Sequence, residues 1–133
     1  MTSFEGDTGP YLQYAHVRLS SIERKNPEIA SSLPALSSIE FGLLDEPKAR
    51  DIVFHLGTYP DAVRVALKAR EPSGIVTYAM KLSHHISSAW DVLLVKGEKD
   101  IEKARARMWL FLLAREVLAA SMRLLSLTPL ERM

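Results

Sequence analysis

The strongest constraint in this sequence lies in its last third. Ile101, Ala104, Met108, Phe111, Leu118, Met122 and Leu125 recur at intervals of three, four and seven residues. That spacing lines up side chains on one face of an α-helix. Inside the stretch, Met108-Trp109-Leu110-Phe111-Leu112-Leu113 is apolar all round. A helical segment with no polar face has to be wrapped by other elements. The pattern predicts a long central helix over 99–127, stopped by Thr128-Pro129. Each large side chain in it contributes about 1.5–3 kcal/mol when fully buried. Apolar stripes at helical spacing are core before they are cofactor sites.

The partners that wrap this helix are marked by prolines at 10, 27, 34, 47, 60, 72 and 129. A first helix is expected over 10–25, with Asn26-Pro27 as its stop. Residues 27–45 are rich in Ser, Pro and small side chains and read as a loop with a short helical turn. Asp45-Glu46-Pro47 starts a second helix, acidic at its N-terminus as the helix dipole favours, running to Gly57. Thr58-Tyr59-Pro60-Asp61 is a connection, followed by a third helix to Glu71. A fourth is expected over 73–95, ended by Lys96-Gly97. Nothing alternates with period two, so no strands are predicted. The fold class is all-α, a single-domain bundle of about five helices over residues 1–133.

Composition excludes several function classes. The chain has no cysteine, which rules out disulfide frameworks and thiolate metal sites. Its longest unbroken apolar run covers 108–114, far short of the roughly 20 residues needed to cross a bilayer. Residues 1–7 carry neither a basic start nor an apolar stretch, so no signal peptide is read there, and a soluble, cytoplasmic protein is expected. Net charge is +1 but unevenly spread. Residues 1–63 hold five Lys/Arg and nine Asp/Glu, whereas 64–133 hold twelve and seven. This asymmetry fits either solvated helix faces or a basic surface on the C-terminal half.

Catalytic constellations are missing from the sequence. His16, His55, His84 and His85 offer no i,i+4 pair, and His84 and His85 point about 100° apart on a helix. There is no His-Glu-x-x-His motif, no Gly-rich phosphate loop and no recognisable acid/base carboxylate pair. No metal site is expected.

The first helix carries a more suggestive pattern. Leu12, Ala15, Leu19 and Ile22 form its core face. Tyr11, Tyr14, Arg18 and Lys25 form a second stripe roughly 90° round. Rings interleaved with cations suit nucleic acid, since rings stack on unpaired bases and cations meet phosphates. The same stripe also suits a packing border of half-buried tyrosines. Trp90 and Leu94, one helical turn apart, precede Lys96, Lys99, Lys103, Arg105 and Arg107. Exposed, that Trp is a stacking platform; buried, it is ordinary core.

Three segments carry a resemblance. Phe4-Glu5-Gly6-Asp7-Thr8-Gly9-Pro10-Tyr11-Leu12-Gln13-Tyr14-Ala15-His16 closely resembles the opening of the C-terminal domain of arginyl-tRNA synthetases. Tyr78-Ala79-Met80-Lys81-Leu82-Ser83-His84 with Ile86-Ser87-Ser88 is similar to that family's penultimate long helix. Met122-Arg123-Leu124-Leu125-Ser126-Leu127-Thr128-Pro129-Leu130-Glu131-Arg132-Met133 looks like its C-terminus. The segments occur in the family's order, span essentially the whole chain and look closest to fungal-type enzymes.

The resemblance implies a DALR-type anticodon-binding bundle that grips the anticodon arm of arginine tRNA. The implied parent is a class I synthetase that joins arginine to that tRNA with ATP. In the family, side chains at positions matching Trp90, Leu94 and Met133 surround anticodon bases; Tyr often stands in place of Trp90 and an aromatic in place of Leu94. The loop 6–10 and the helix bearing Tyr11 and Tyr14 lie near the catalytic junction and the anticodon stem. The implied tRNA-binding set is therefore Tyr11, Tyr14, Arg18, Trp90, Leu94 and Met133, with Lys/Arg side chains on phosphates. The chain has no His-Ile-Gly-His-like motif, and Met80-Lys81-Leu82-Ser83 only echoes the family's Lys-Met-Ser-Lys-Ser loop. It is expected to bind neither ATP nor arginine, to be inactive alone, to be monomeric, and to partner the catalytic domain of its parent. The alternative is a protein-interaction or regulatory domain that kept the fold and lost tRNA binding. Trp90 and Met133 on one concave basic surface would favour the first reading.

Overall fold

The structure is a computed structural model and describes residues 8–132. The sequence readings on residues 4–7 and on Met133 lie outside these residues. The elements are α1 (Thr8–Lys25), α2 (Pro27–Ser31), two single 3-10 turns (Leu36–Ser38 and Phe41–Leu43), α3 (Pro47–Gly57), α4 (Tyr59–Ala69), α5 (Ser73–Trp90) and α6 (Ile101–Leu124). No strand occurs among the described residues.

The expected central helix is α6, which packs against α1, α2, α3 and α5. Met108, Leu110, Phe111, Leu118 and Met122 are all 1% exposed or less. Ile101, the first residue of the expected stripe, is exposed instead, because it opens the helix beyond the reach of the bundle. Asp100 caps α6 by accepting from the backbone N–H groups of Glu102 (3.1 Å) and Lys103 (3.4 Å). The all-apolar run finds its last neighbour in the 27–45 segment: the Trp109 indole N–H donates to the Pro34 carbonyl at 3.0 Å. On α1, Leu12, Ala15, Leu19 and Ile22 are buried, as the periodicity predicts.

Several boundaries differ from the sequence reading: α1 begins at Thr8 rather than 10, α4 takes in Tyr59–Ala69 although 58–61 was expected to be a connection, and α6 begins at Ile101 rather than 99. Three further differences have a physical reason. The fourth expected helix ends at Trp90, not at 95. Beyond it, Leu93 and Val95 are buried while Leu94 between them is exposed. Residues two apart point about 200° apart on a helix, so a continued helix could not bury both, and the chain bends at Leu93 and Val95 instead. The fifth expected helix ends at Leu124, not at 127, because Ser126 turns left-handed at φ 64° and sends the chain back along α1. The 27–45 segment holds a five-residue helix and two 3-10 turns where a short helical turn was expected, so the described residues form six helices, the expected five plus the short α2. Its elements are too short for periodicity to reveal. α3 and α4 meet at Thr58 alone, with Pro60 in the first turn of α4, where no backbone donor is needed.

Candidate nucleic-acid interface

Helix geometry places Tyr11, Tyr14 and Arg18 on one face of α1, and the parallel course of α5 brings Trp90 beside them. The Arg18 guanidinium lies over two rings. Its guanidinium carbon is 4.8 Å from the Trp90 ring centre and 5.7 Å from that of Tyr14. Both distances fall within cation–π range. Tyr14 is 58% exposed and Tyr11 37%. Trp90 is half-buried, its ring edge-on to Phe111 at 5.3 Å with an interplanar angle of 61°. Arg18 covers one face of Trp90 and Phe111 meets it from the core. The groups offered to a flat ligand here are the exposed Tyr14 ring and the half-buried Arg18 guanidinium.

A cleft of about 160 Å³ continues from Trp90, lined by Ile22, Lys25, Asn26, Leu94 and Lys96 among others. Leu94, 51% exposed, sits on its rim from the irregular 91–100 segment rather than from a helix. Lys25, Lys96 and Lys99 are exposed, and none of them, nor Arg18, forms an ion pair with a described carboxylate. The structure thus brings together Tyr14, Arg18, Trp90 and Leu94, with Tyr11 one turn before Tyr14 on α1.

The other cations of the 96–107 stretch are committed elsewhere. Lys103 pairs with Glu46 at 3.7 Å and Arg105 with Glu102 at 3.2 Å. Arg107 is buried, with a side chain only 7% exposed. It donates to the Leu94 carbonyl (2.8 Å), the Glu98 carboxylate (2.8 Å) and the Glu46 carboxylate (2.5 Å). Glu46 was expected to serve the N-terminus of α3, yet its side chain makes no capping bond there. Burial alone would raise its pKa, but the hydrogen bond and charge of Arg107 outweigh that and hold it below 4.5. Glu98 is likewise held low, first by the Asp100 backbone N–H and then by Arg107. Sequence reasoning grouped Arg107 with the phosphate-facing cations. Its partner Glu46 stands 61 residues away, and no local pattern signals that pairing.

The C-terminal tail runs along another face of α1. Gln13 donates to the Thr128 carbonyl (2.8 Å) and accepts from the Leu130 N–H (2.9 Å). His16 Nδ1 meets the Leu130 carbonyl, and Arg24 donates to the Glu131 carbonyl at 3.3 Å. The tail therefore advances in the same direction as α1, toward the end that carries Lys25.

A larger open groove of about 860 Å³ lies between α3 and α5, lined by Asp51, Phe54, His55, Lys81, His84 and His85 among others. One of its histidines is structural: the His55 ring stacks on Tyr78 at 4.1 Å and its Nε2 meets the Tyr78 carbonyl at 3.1 Å. Size apart, this groove lacks the stacked cation and rings found on α1 and α5.

The DALR anticodon binding domain family matches residues 12–133. The chain belongs to that family. Among relatives, it is 52% identical over 133 residues to the cytoplasmic arginine–tRNA ligase of Saccharomyces cerevisiae, covering 100% of this chain and 21% of that protein. It is 42% identical to the mitochondrial arginine–tRNA ligase of the same yeast, covering 20% of it. Among solved structures, the Thermus thermophilus arginyl-tRNA synthetase superposes with a TM-score of 0.79 at 30% identity, over 98% of this chain and 22% of that one. This DALR domain thus spans about a fifth of the length of the relatives it matches.

Proposed function

We propose that this DALR domain grips the anticodon arm of an arginine tRNA, as the tRNA-reading part of an arginine–tRNA ligase acting in translation. The observation that carries the reading is the Tyr14–Arg18–Trp90 cluster bordered by Lys25 and Lys96, neither paired with a described carboxylate. Splayed bases find two flat surfaces, the Tyr14 ring and the Arg18 plane, each worth about 1–3 kcal/mol per stacked base. Leu94 supplies an apolar edge, and the free lysines meet phosphates. Tyr11 extends the stripe toward the stem. Met133 joins the set on the resemblance alone.

On this reading ATP and arginine are handled by the rest of a longer protein, and this chain is not catalytic and needs no cofactor. A monomer attached to its catalytic domain is the assembly this reading implies. Phe54, Val65 and Leu67, 66–76% exposed on α3 and α4, favour a protein contact as well, and the catalytic part of the parent is the partner proposed for them. The higher identity to the cytoplasmic yeast enzyme than to the mitochondrial one supports a cytoplasmic location. The test is a titration of an arginine-tRNA anticodon arm against wild type and Tyr14→Ala. A tenfold or greater loss in the variant is expected; equal affinity in a folded variant would overturn the assignment.

A further inference from the structure

Arg107 is the most buried cation in the described chain, yet it lies below the surface proposed to meet RNA. Its three acceptors come from different places. Glu46 stands at the start of α3, Glu98 lies in the 91–100 segment, and the Leu94 carbonyl belongs to the residue on the cleft rim. The 91–100 segment has few bonds of its own. Val92 and Leu93 donate back to Ala89, and Glu98 donates to Val95. No regular ladder sets the backbone between 93 and 97, and Arg107 supplies the fixed point at its centre. Glu98 in turn accepts from the Asp100 N–H at 3.1 Å, tying the same strut to the cap of α6. A guanidinium suits this task because its planar fork reaches several acceptors with little freedom left.

Resting on the anticodon-arm reading, we infer that Arg107 is a positioning residue for the RNA site: it touches no RNA and fixes the segment that presents Leu94, Lys96 and Lys99 beside Trp90. The bent, non-helical course that buries Leu93 and Val95 and turns Leu94 outward is held at its midpoint by the 2.8 Å bond from Arg107 to the Leu94 carbonyl. Losing that bond frees two lysines and one apolar contact to sample many positions, and their ordering then has to be supplied at binding.

Arg107→Met keeps the length and removes the fork. Arg115→Met is the control: Arg115 is also on α6 and pairs with Glu23 at 2.6 Å, remote from the 91–100 segment. Both variants are followed by circular dichroism melting, by amide exchange, and by titration with an arginine-tRNA anticodon arm. For Arg107→Met the expected result is faster exchange at residues 93–98 and an affinity about tenfold lower, as for one lost charge-assisted bond. Arg115→Met is expected to lower the melting temperature with affinity unchanged. Wild-type affinity in Arg107→Met, or unaltered exchange at 93–98, would overturn the inference. Should Arg107→Met not fold, Glu98→Ala removes one half-buried anchor instead, with about a threefold loss expected and no loss refuting. If the wild-type domain itself binds no anticodon arm, the tRNA reading fails, and exchange at 93–98 still decides whether Arg107 holds the segment.

Discussion

Removing Arg18 separates the two roles assigned to the α1–α5 face. Arg18 stands over Trp90 at 4.8 Å and over Tyr14 at 5.7 Å, and makes no ion pair with a described carboxylate. Within the free protein, a partly exposed cation–π contact is worth about 0.5–1 kcal/mol. Arg18→Ala should therefore lower the melting temperature by only about 4–8 °C per kcal/mol, so a few degrees in all. Binding should suffer more. The guanidinium offers a stacking surface of roughly 1–3 kcal/mol and a phosphate contact that sets about one unit of salt slope. A loss of about 2 kcal/mol is near thirtyfold in affinity. Trp90→Ala should act largely through the same group, since Arg18 covers the ring. The double variant should then bind only slightly worse than Arg18→Ala, with a coupling of at least about 0.5 kcal/mol. The assay is a titration of an arginine-tRNA anticodon arm at several salt concentrations, for wild type, each single variant and the pair. Wild-type affinity in Arg18→Ala, or losses that add within about 0.3 kcal/mol, would refute the stack as the binding element.

Other outcomes follow from the same geometry. Burial, and then Arg115 and Arg123, hold the folded His16 pKa below 6.5. The unfolded chain therefore takes up this proton first, so stability should fall as pH drops below 6.5 and level off below the folded value; the melting temperature of His16→Gln should lack that decline. Ser126→Gly should raise stability by about 1 kcal/mol, because Ser126 holds φ 64°, a left-handed conformation that costs a side-chain-bearing residue; an unchanged or lower melting temperature contradicts this. Trp109→Phe should cost about 1 kcal/mol through the lost bond to the Pro34 carbonyl and speed amide exchange most in 27–45, where the bond is lost; equal acceleration throughout would contradict this.

The parts legible in the sequence are those where one helix face decides the matter. Leu12, Ala15, Leu19 and Ile22 on α1, and Met108 to Met122 on α6, announce their burial by spacing alone. The stripe of Tyr14 and Arg18 was visible for the same reason, and Trp90 joined it through the packing of α5 on α1. Residues 91–95 were misread as helix because Leu93, Leu94 and Val95 are apolar in any conformation. Only the tertiary demand that 93 and 95 both face the core ends the helix there. That changed Leu94 from a helical neighbour of Trp90 into a residue on a braced segment. The brace itself was illegible: Arg107 and Glu46 are far apart in sequence, and each had a plausible local role that tertiary contact overrode. Gln13, His16 and Arg24 gave no sign that they would hold the tail, since backbone carbonyls have no signature in side-chain sequence.

The most direct test of the central claim compares two arginine tRNA transcripts that differ only in the anticodon, titrated with this domain at one fixed, moderate salt concentration. The account predicts tighter binding to the unaltered transcript, with the difference lost in Arg18→Ala. Equal binding to both transcripts, or none to either, would contradict the claim that this face reads the anticodon arm.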